Sequence, residues 1–333
     1  MPTDELTYLS LCGMLGYGYP EENLQRAMQA NPAFIAADNG STDPGPYYLG
    51  SGTGFVRPEQ IRRDLELALV AARQANIPLI IGSAGGAGAA PHLAAFRKIL
   101  LEIAQCHGLR FRLATIPADV DKADVLQALD AGRISPCGPV PPLTAERVRS
   151  CSHLVGQMGT GPIIQALRGG ADVVVVGRCC DTAIFAALPM MRGFDPALAM
   201  HSAKIAECGT LCATPGGAND SLLITLRRDS FTVRPVAPEK RCLPRTVAAH
   251  SLYEQPSPHE FIEPEGTVDL RDATFTAEDK RSVRVSGTRL IPPDVHTVKL
   301  EGATRVGYRS ITLAGTRDPG VIANLDTIEQ AVR

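Results

Sequence analysis

The chain has 333 residues, 44% of them hydrophobic, so it can bury the core of one large or two ordinary domains and is not expected to be disordered. Lys and Arg number 33 against 35 Asp and Glu, and this balance, with no Trp, argues against a nucleic-acid-binding surface. No secretory leader and no apolar run long enough for a membrane span is evident, so we expect no membrane segment. Nine irregularly spaced cysteines without a C-x-x-C pair indicate free thiols in the cytoplasm.

From residue 7 to about residue 177, short apolar runs alternate with longer segments of helical period. This pattern is typical of an α/β fold with a mainly parallel, Rossmann-like sheet and flanking helices. The predicted strands are residues 7–12, 33–38, 78–82, 110–116 and 172–177. Helices are predicted at residues 57–75 and 91–106, where apolar residues recur at helical spacing.

A third helix is predicted after Asp195, with Gly209 as its C-cap, and the character of the sequence then changes. Short alternating runs indicate antiparallel strands at residues 221–226, 231–236, 281–290, 297–300 and 304–313. Helix-like segments lie near residues 246–253 and 322–333. We therefore predict an α/β domain over residues 1–214 and a smaller mixed, β-rich subdomain over residues 215–333 that ends in a helix.

The segment after the second predicted strand is a long polar loop over residues 38–52. It contains Asp38, Ser41, Thr42 and Asp43. Ligands of open parallel sheets bind beyond the carboxyl ends of the strands, and long loops in compact domains are functional or disordered. We expect an ordered, functional loop, with a plain surface loop as the alternative.

A glycine-rich segment follows the third predicted strand and contains Ser83, Gly85, Gly86 and Gly88 before a helix. Its backbone N–H groups and the helix N-terminus can hold a phosphate, a carboxylate or a thioester oxyanion. Close packing of helix on strand explains the glycines equally well. The segment lacks the Gly-Lys-Ser/Thr of a P-loop, and Pro91 stands where a dinucleotide fingerprint needs glycine, so neither nicotinamide nor flavin binding is indicated.

Acidic residues follow the last two predicted parallel strands. Asp119 and Asp121 come after the fourth, and Arg178 and Asp181 after the fifth. Carboxylates converging from separate strands can hold a divalent metal or form a general acid and base pair. Alternatively, Asp121 and Asp181 each cap a helix.

Cysteine and histidine give weaker signals. Cys179 and Cys180 adjoin Arg178, whose charge would favour a thiolate nucleophile, but buried cysteine is more often inert. His92, His201 and His250 are each predicted on or at the start of a helix, and none has the i, i+4 partner of a zinc site. A general base or a structural histidine both fit.

Several segments resemble the acyclic terpene utilisation family of bacterial proteins, and the likeness runs over nearly the whole chain. The most distinctive are residues 38–50, 81–86, 155–159, 193–196, 298–302 and 306–309. The resemblance implies a role in catabolism of acyclic terpenes and a small ferredoxin-like domain as continuation or partner subunit. It supplies no set of catalytic residues.

The resulting hypothesis is an enzyme of branched-chain or terpenoid catabolism that acts on a carboxylate or acyl-coenzyme A by hydration, elimination or isomerisation. Its predicted acid–base or metal-binding groups are Asp38, Asp43, Asp119 and Asp181. The residues predicted to bind the anionic substrate are Ser41, Thr42, Ser83, Gly85, Gly86, Gly88 and Arg178. The cofactor is unknown, with a divalent metal possible.

The alternative is a non-catalytic ligand-binding or scaffold subunit that works with the ferredoxin-like partner. An oxidoreductase is disfavoured by the missing fingerprint. A homo-oligomer is expected because most soluble oligomers are symmetric homomers.

Overall fold

The computed structural model describes residues 4–332, and a nine-stranded mixed sheet is its central feature. Five parallel strands form one half in the spatial order β1, β2, β3, β6, β4. They are β1 Glu5–Ser10, β2 Ile35–Asp38, β3 Leu79–Gly82, β4 Leu113–Ile116 and β6 Val173–Val176. All five predicted parallel strands are thus confirmed, four of them shorter than predicted and β1 of equal length but two residues earlier. The edge strand β4 begins three residues late.

Helices cover both faces of the parallel half, because β3 and β6 are buried throughout and need an apolar layer on each side. One face carries α1 Glu21–Met28, α3 Pro58–Gln74 and α4 Ala90–Cys106. The other carries α7 Thr160–Arg168, α8 Ala183–Met191 and α9 Pro196–Ala206. Alternate side chains of β6 point to the two layers, with Val173 and Val175 on the first and Val174 and Val176 on the second.

The antiparallel strands after residue 214 continue the same sheet. β8 Leu222–Arg227 pairs with β1 along its whole length, and β9 Ser230–Pro235, β14 Val283–Ser286 and β13 Thr274–Ala277 follow outward. The division at residues 214 and 215 stays a prediction, but strands on both sides of it share one hydrogen-bonded ladder. The mixed α/β architecture with additional antiparallel strands agrees with the predicted class.

Smaller sheets and helices complete the described chain. A three-stranded sheet contains β11 Glu260–Glu263, β12 Gly266–Asp269 and β15 Arg289–Ile291, and β5 His153–Gln157 pairs with β16 Lys299–Ala303. The pair β7 Ala213–Thr214 and β10 Arg241–Cys242 is short. The remaining helices are α2 Pro46–Ser51, α5 Lys122–Asp130, α6 Ala145–Ser150, α10 Pro244–Ser251, α11 Pro319–Ala323 and α12 Leu325–Val332.

Two predictions for the C-terminal part need correction. The strand predicted at residues 281–290 is broken into β14 and β15, because Gly287 has φ +81° and turns the chain. The strand predicted at residues 304–313 is wrong: this segment has no regular structure, and every residue from 304 to 332 is exposed. Its alternating pattern finds no neighbouring strand among residues 4–332, and we call residues 304–332 the C-terminal arm.

Candidate functional site

The carboxyl ends of β3 and β6 mark a change in the direction in which the chain winds around the sheet. The chain leaves β3 for α4 on one face of the sheet and leaves β6 for α8 on the other, so the loops after these strands diverge. Such a topological switch point is where open α/β sheets bind ligands. The loops after β2, β3 and β6 meet there, and we call the place the switch crevice.

Glycine lets these loops approach one another. A Cβ on Gly40 would lie 1.9 Å from the carbonyl oxygen of Gly86, and one on Gly88 would lie 2.1 Å from the backbone nitrogen of Arg178. Gly88 also has φ +70°, which disfavours any other residue. Close packing, the alternative interpretation of the glycines, therefore accounts for both positions.

The backbone N–H groups of the glycine-rich loop are mostly occupied by protein acceptors. Those of Ala84, Gly85 and Gly86 donate to the oxygens of Val176, the Asn39 side chain and Ser83 at 2.9, 2.6 and 3.1 Å. The N–H groups of Ala87 and Gly88 have no acceptor among residues 4–332. In the described chain, free N–H groups therefore occur only at this end of the loop, next to the first turn of α4, and both residues are buried.

Asp38, at the end of β2, is the most deeply buried of the four predicted acidic site residues. Its side chain is 5% exposed, and Oδ1 has no hydrogen-bond partner in the described part of the chain. Burial, followed by the charge of Asp181, raises its pKa well above the usual value, against the opposing effects of Arg178 and of the backbone N–H groups of Asn39 and Gly40. A protonated or readily protonated carboxyl group at a ligand-binding edge is suited to proton transfer.

Arg178 crosses the crevice with its donors directed to protein groups. Nε and Nη2 form a fork with the Glu301 carboxylate at 2.9 and 3.3 Å, and Nη1 donates to Ser83 Oγ at 3.1 Å. Nη1 also donates to the Cys179 carbonyl at 2.9 Å and lies 3.5 Å from Asp181 Oδ1. Arg178 thus fixes the loops after β3 and β6 and supplies positive charge to their carboxylates.

Asp181 forms the more open side of the crevice, with a side chain 35% exposed. Burial raises its pKa, Arg178 and Lys204 lower it, and the charge of Asp43 raises it. The Asp43 side chain is exposed, and its backbone N–H donates to Ser41 Oγ at 3.0 Å. Ser41 and Thr42 are half-buried beside it.

The structure places Asp119 and Asp121 apart from this group. Both are exposed, and Asp119 forms a backbone bridge with Val155 of β5. The Asp121 side chain accepts the N–H of Ala123 at 2.8 Å and caps α5, as the alternative interpretation held. Asp181 is not a cap, because α8 begins after Thr182.

Four site residues were not predicted from the sequence. Glu301 of β16 binds Arg178, and Lys204 and Glu207 form a buried ion pair of 2.5 Å at the end of α9. Glu263 of β11 accepts hydrogen bonds from Thr182 Oγ1 and Cys180 Sγ at 2.6 and 3.0 Å. Burial raises the pKa of Glu207 to about 8 and that of Glu263 to about 7.

The carboxylates of this neighbourhood outnumber its cations. Asp38, Asp181, Glu207 and Glu263 meet Lys204 and Arg178, and Arg178 is shared with Glu301. Part of the group therefore holds protons near neutral pH.

The cysteines and histidines have structural surroundings. Burial raises the pKa of Cys179 to about 12, which favours the inert thiol. His92 Nε2 donates to the carbonyls of Tyr48 and Thr53 at 3.0 and 3.1 Å and so holds the long loop against α4. His201 lies in the antiparallel half between Thr288 and Ser251. His250 stacks on Tyr253.

Within residues 4–332, no group of three or more His, Cys, Asp or Glu side chains is arranged to hold a metal ion. No helix in the same range is long and apolar enough to cross a membrane.

Comparison with known families gives one match over most of the chain. The model of the acyclic terpene utilisation family, AtuA, matches residues 52–218 and 231–333. These ranges include the glycine-rich loop, Arg178, Asp181 and all four residues that the sequence did not reveal. Searches of curated proteins and of solved structures found no match.

Proposed function

The chain belongs to the acyclic terpene utilisation family, which implies a role in that catabolism, and we propose that it is an enzyme acting on a carboxylate or acyl-coenzyme A by proton transfer. The reaction is a hydration, elimination or isomerisation next to a carbonyl group. All three need a group that moves a proton and donors that stabilise the developing oxyanion.

The observation that carries the proposal is the unpartnered carboxyl oxygen of Asp38. Five buried side-chain polar atoms have no partner in the described residues, and Asp38 Oδ1 is the one of them that lies at the end of β2. Such an atom costs free energy unless a ligand, a water or a proton meets it. With its raised pKa, Asp38 is a stronger base than an ordinary aspartate once ionised. We assign it the transfer of the proton at the substrate carbon.

The oxyanion is assigned to the N–H groups of Ala87 and Gly88. Ala87 and Gly88 directly precede Ala89, the N-cap of the 17-residue helix α4, and Ala89 offers no side-chain acceptor. The free N–H groups and partial positive charge of this helix end favour a negatively charged oxygen.

Arg178 has a positioning role in this account. Its Glu301 fork holds the guanidinium beside Ser83 and Asp181, so it sets the distance between the two sides of the crevice. Burial raises the pKa of Glu301, but the hydrogen bonds and charge of Arg178 bring it below its usual value and keep Glu301 ionised.

The test is exchange of substrate hydrogen for solvent deuterium, followed by NMR, with branched-chain and terpenoid carboxylates and their coenzyme A thioesters. Asp38→Asn keeps the shape of the side chain but cannot accept the proton. We expect exchange to fall by about 10²- to 10⁴-fold. Asp130→Asn, at the exposed end of α5, is the matched control and should exchange at the wild-type rate. Undiminished exchange in folded Asp38→Asn would overturn the proposal.

The second candidate is a ligand-binding or scaffold subunit that works with a small ferredoxin-like partner. The C-terminal arm favours it, because Val306, Tyr308 and Leu313 are 97%, 89% and 94% exposed. Apolar side chains displayed in this way mark interaction segments. Under this candidate, no tested compound exchanges with the wild-type chain alone, and deletion of residues 304–332 abolishes capture of the partner.

We also propose that the protein acts in the cytoplasm as a homo-oligomer. Nine free cysteines, four of them buried, fit a reducing compartment. Analytical ultracentrifugation tests the assembly, and a monomer at micromolar concentration would contradict it.

A further inference from the structure

An open cleft lies on the outer side of the loop after β1, and the proton-transfer account does not use it. It has a volume of about 530 Å³ and is continuous in its lining with a neighbouring space of about 480 Å³ that reaches Phe55. These volumes are in the range of small-molecule sites. We call it the outer cleft.

Two aromatic rings and two side-chain amides line this cleft or the space beside it, and one of the rings, Phe55, packs edge-to-face against Tyr48 with 5.3 Å between ring centroids. Tyr17 and Phe55 are 48% and 40% exposed. The side chains of Tyr17, Gln60 and Asn219 have no hydrogen bond to any group in residues 4–332. Exposed rings beside free amide groups suit a planar heterocyclic base, which stacks on one and pairs with the other.

Arg63 supplies a fixed positive charge in the cleft. Its Nη1 donates to the Tyr19 carbonyl at 2.7 Å and to Asp64 Oδ1 at 2.8 Å, and its guanidinium lies 5.4 Å above the Tyr19 ring. Nε and Nη2 have no acceptor in the described chain, and the side chain is 48% exposed. A guanidinium held in this way offers two donors to a phosphate group.

The carboxylate of Asp64 is bound by groups of the protein itself. It is 1% exposed and accepts the N–H groups of Gly16 and Gly18 at 2.8 and 2.9 Å, besides its pairing with Arg63. Glu59, one turn before Arg63 on α3, is the only other carboxylate that lines the cleft within residues 4–332. The negative charge of Glu59 disfavours binding of an anion in the cleft, so its removal should strengthen that binding.

The outer cleft is linked to the switch crevice through the backbone of the loop after β1. Gly16 lines the cleft, and the preceding Leu15 donates its N–H to the Asp38 carbonyl at 2.7 Å and accepts from the Asn39 side chain at 2.8 Å. A ligand with a nucleotide end and a long flexible arm can occupy the cleft and reach the crevice over this loop.

We infer that the outer cleft binds the nucleotide end of coenzyme A, so that the substrate is an acyl thioester and not a free carboxylate. This rests on the proposed proton-transfer function. The adenine base stacks between Tyr17 and Phe55, and a phosphate group binds Arg63.

The experiment is calorimetric titration of the full chain with free coenzyme A, adenosine 3′,5′-bisphosphate and inorganic phosphate. Arg63→Ala should raise the dissociation constant of coenzyme A by about tenfold or more, because a hydrogen-bonded ion pair is lost. Tyr17→Ala should raise it by about tenfold through lost stacking. Glu59→Gln should lower it about two- to fivefold.

Arg62→Ala is the matched control, since Arg62 is on the same helix but pairs with Glu102 of α4, and it should bind as the wild type does. Arg63 also anchors the loop, so Tyr17→Ala, a half-exposed side chain without internal hydrogen bonds, keeps the test valid if Arg63→Ala misfolds. No binding of coenzyme A, equal affinity in all variants, or phosphate binding as tightly as coenzyme A would overturn the inference.

Failure here is distinguishable from failure of the proposed function. Asp38→Asn should bind coenzyme A with wild-type affinity while losing exchange. A chain that exchanges free carboxylates but does not bind coenzyme A refutes only the cleft assignment. A chain that binds coenzyme A in the cleft but exchanges independently of Asp38 refutes the catalytic one.

Discussion

Asp38 and His201 are both buried titratable residues, yet their surroundings differ. His201 is fully buried, and each ring nitrogen has a hydroxyl partner, Thr288 at 2.7 Å and Ser251 at 2.8 Å. Because the Ser251 hydroxyl donates to the Val247 carbonyl, its oxygen accepts from Nε2, and Nδ1 accepts from Thr288. Asp38 Oδ1 has no such partner.

The difference separates a structural group from a functional one. Burial lowers the pKa of His201 to about 3, so it stays neutral and its two hydrogen bonds stabilise the antiparallel half. Asp38 is held at a strand end where loops converge, and its unsatisfied oxygen destabilises the fold unless a ligand or proton meets it. Asp38 and His201 are both buried, so burial does not distinguish them, whereas their hydrogen-bond partners do.

The largest effect on stability is expected in the switch crevice, where Gly88 packs against Arg178. Gly88→Ala should lower the free energy of unfolding by about 3 kcal/mol or more, because the methyl group overlaps the Arg178 backbone at a positive φ. Urea denaturation measures it. Gly161→Ala is the control: it lies inside α7 with open space around it and should stabilise by about 0.5–1 kcal/mol. Equal effects of the two would mean that the loops do not touch as described.

His201→Leu should lower the free energy of unfolding by about 1–3 kcal/mol, because the Thr288 and Ser251 hydroxyls lose their hydrogen-bond partner. Activity per folded molecule should stay unchanged. The depressed pKa of His201 means that the folded state binds fewer protons than the unfolded state. The contribution of His201 to the stability of the folded state is therefore complete above the pKa of the unfolded chain, about 6.5, and declines as the pH falls toward 3. Thermal unfolding of the wild type and His201→Leu from pH 7 to 4 should show the difference in stability between them becoming smaller. Loss of activity in the folded variant would contradict a purely structural role for His201.

Glu263→Gln should have the smallest effect on the free energy of unfolding, and this effect should appear only at higher pH. Its folded pKa is raised to about 7 from 4.5, so the stability of the protonated form is complete below the unfolded value and is lost as the pH rises through 7. At pH 8 the variant should be more stable than the wild type by about 1–2 kcal/mol, with little difference at pH 5. The exposed Glu239→Gln should show no such trend. A gap that does not change with pH would contradict a buried, protonated Glu263.

The sequence was informative wherever a strand ended. Asp38, Ser83, Arg178 and Asp181 follow parallel strands, and the rule that such strands share one carboxyl edge was sufficient to predict their convergence. Asp119 obeys the same rule, but β4 is the edge strand, and the Asp119 side chain is exposed while its backbone bridges Val155 of β5.

Contacts from distant parts of the chain were beyond prediction. Glu301 meets Arg178 across 123 positions and Glu263 meets Thr182 across 81, through sheets whose registers depend on tertiary packing. β5 was missed because Gly156 interrupts its apolar run, and its pairing with β16 is what brings Glu301 to the crevice. Lys204 and Glu207 are three residues apart on a helix, a spacing equally common on solvated surfaces.

The most direct test of the account is the ionisation of Asp38 itself. Carbon-13 NMR of aspartate-labelled wild type and Asp38→Asn, recorded across pH, identifies the Asp38 carboxyl signal by difference. The account predicts a carboxyl group that titrates well above the ordinary aspartate value of about 3.9. Titration at or below that value would show an ordinary ionised aspartate and contradict its assignment as the proton-transfer group.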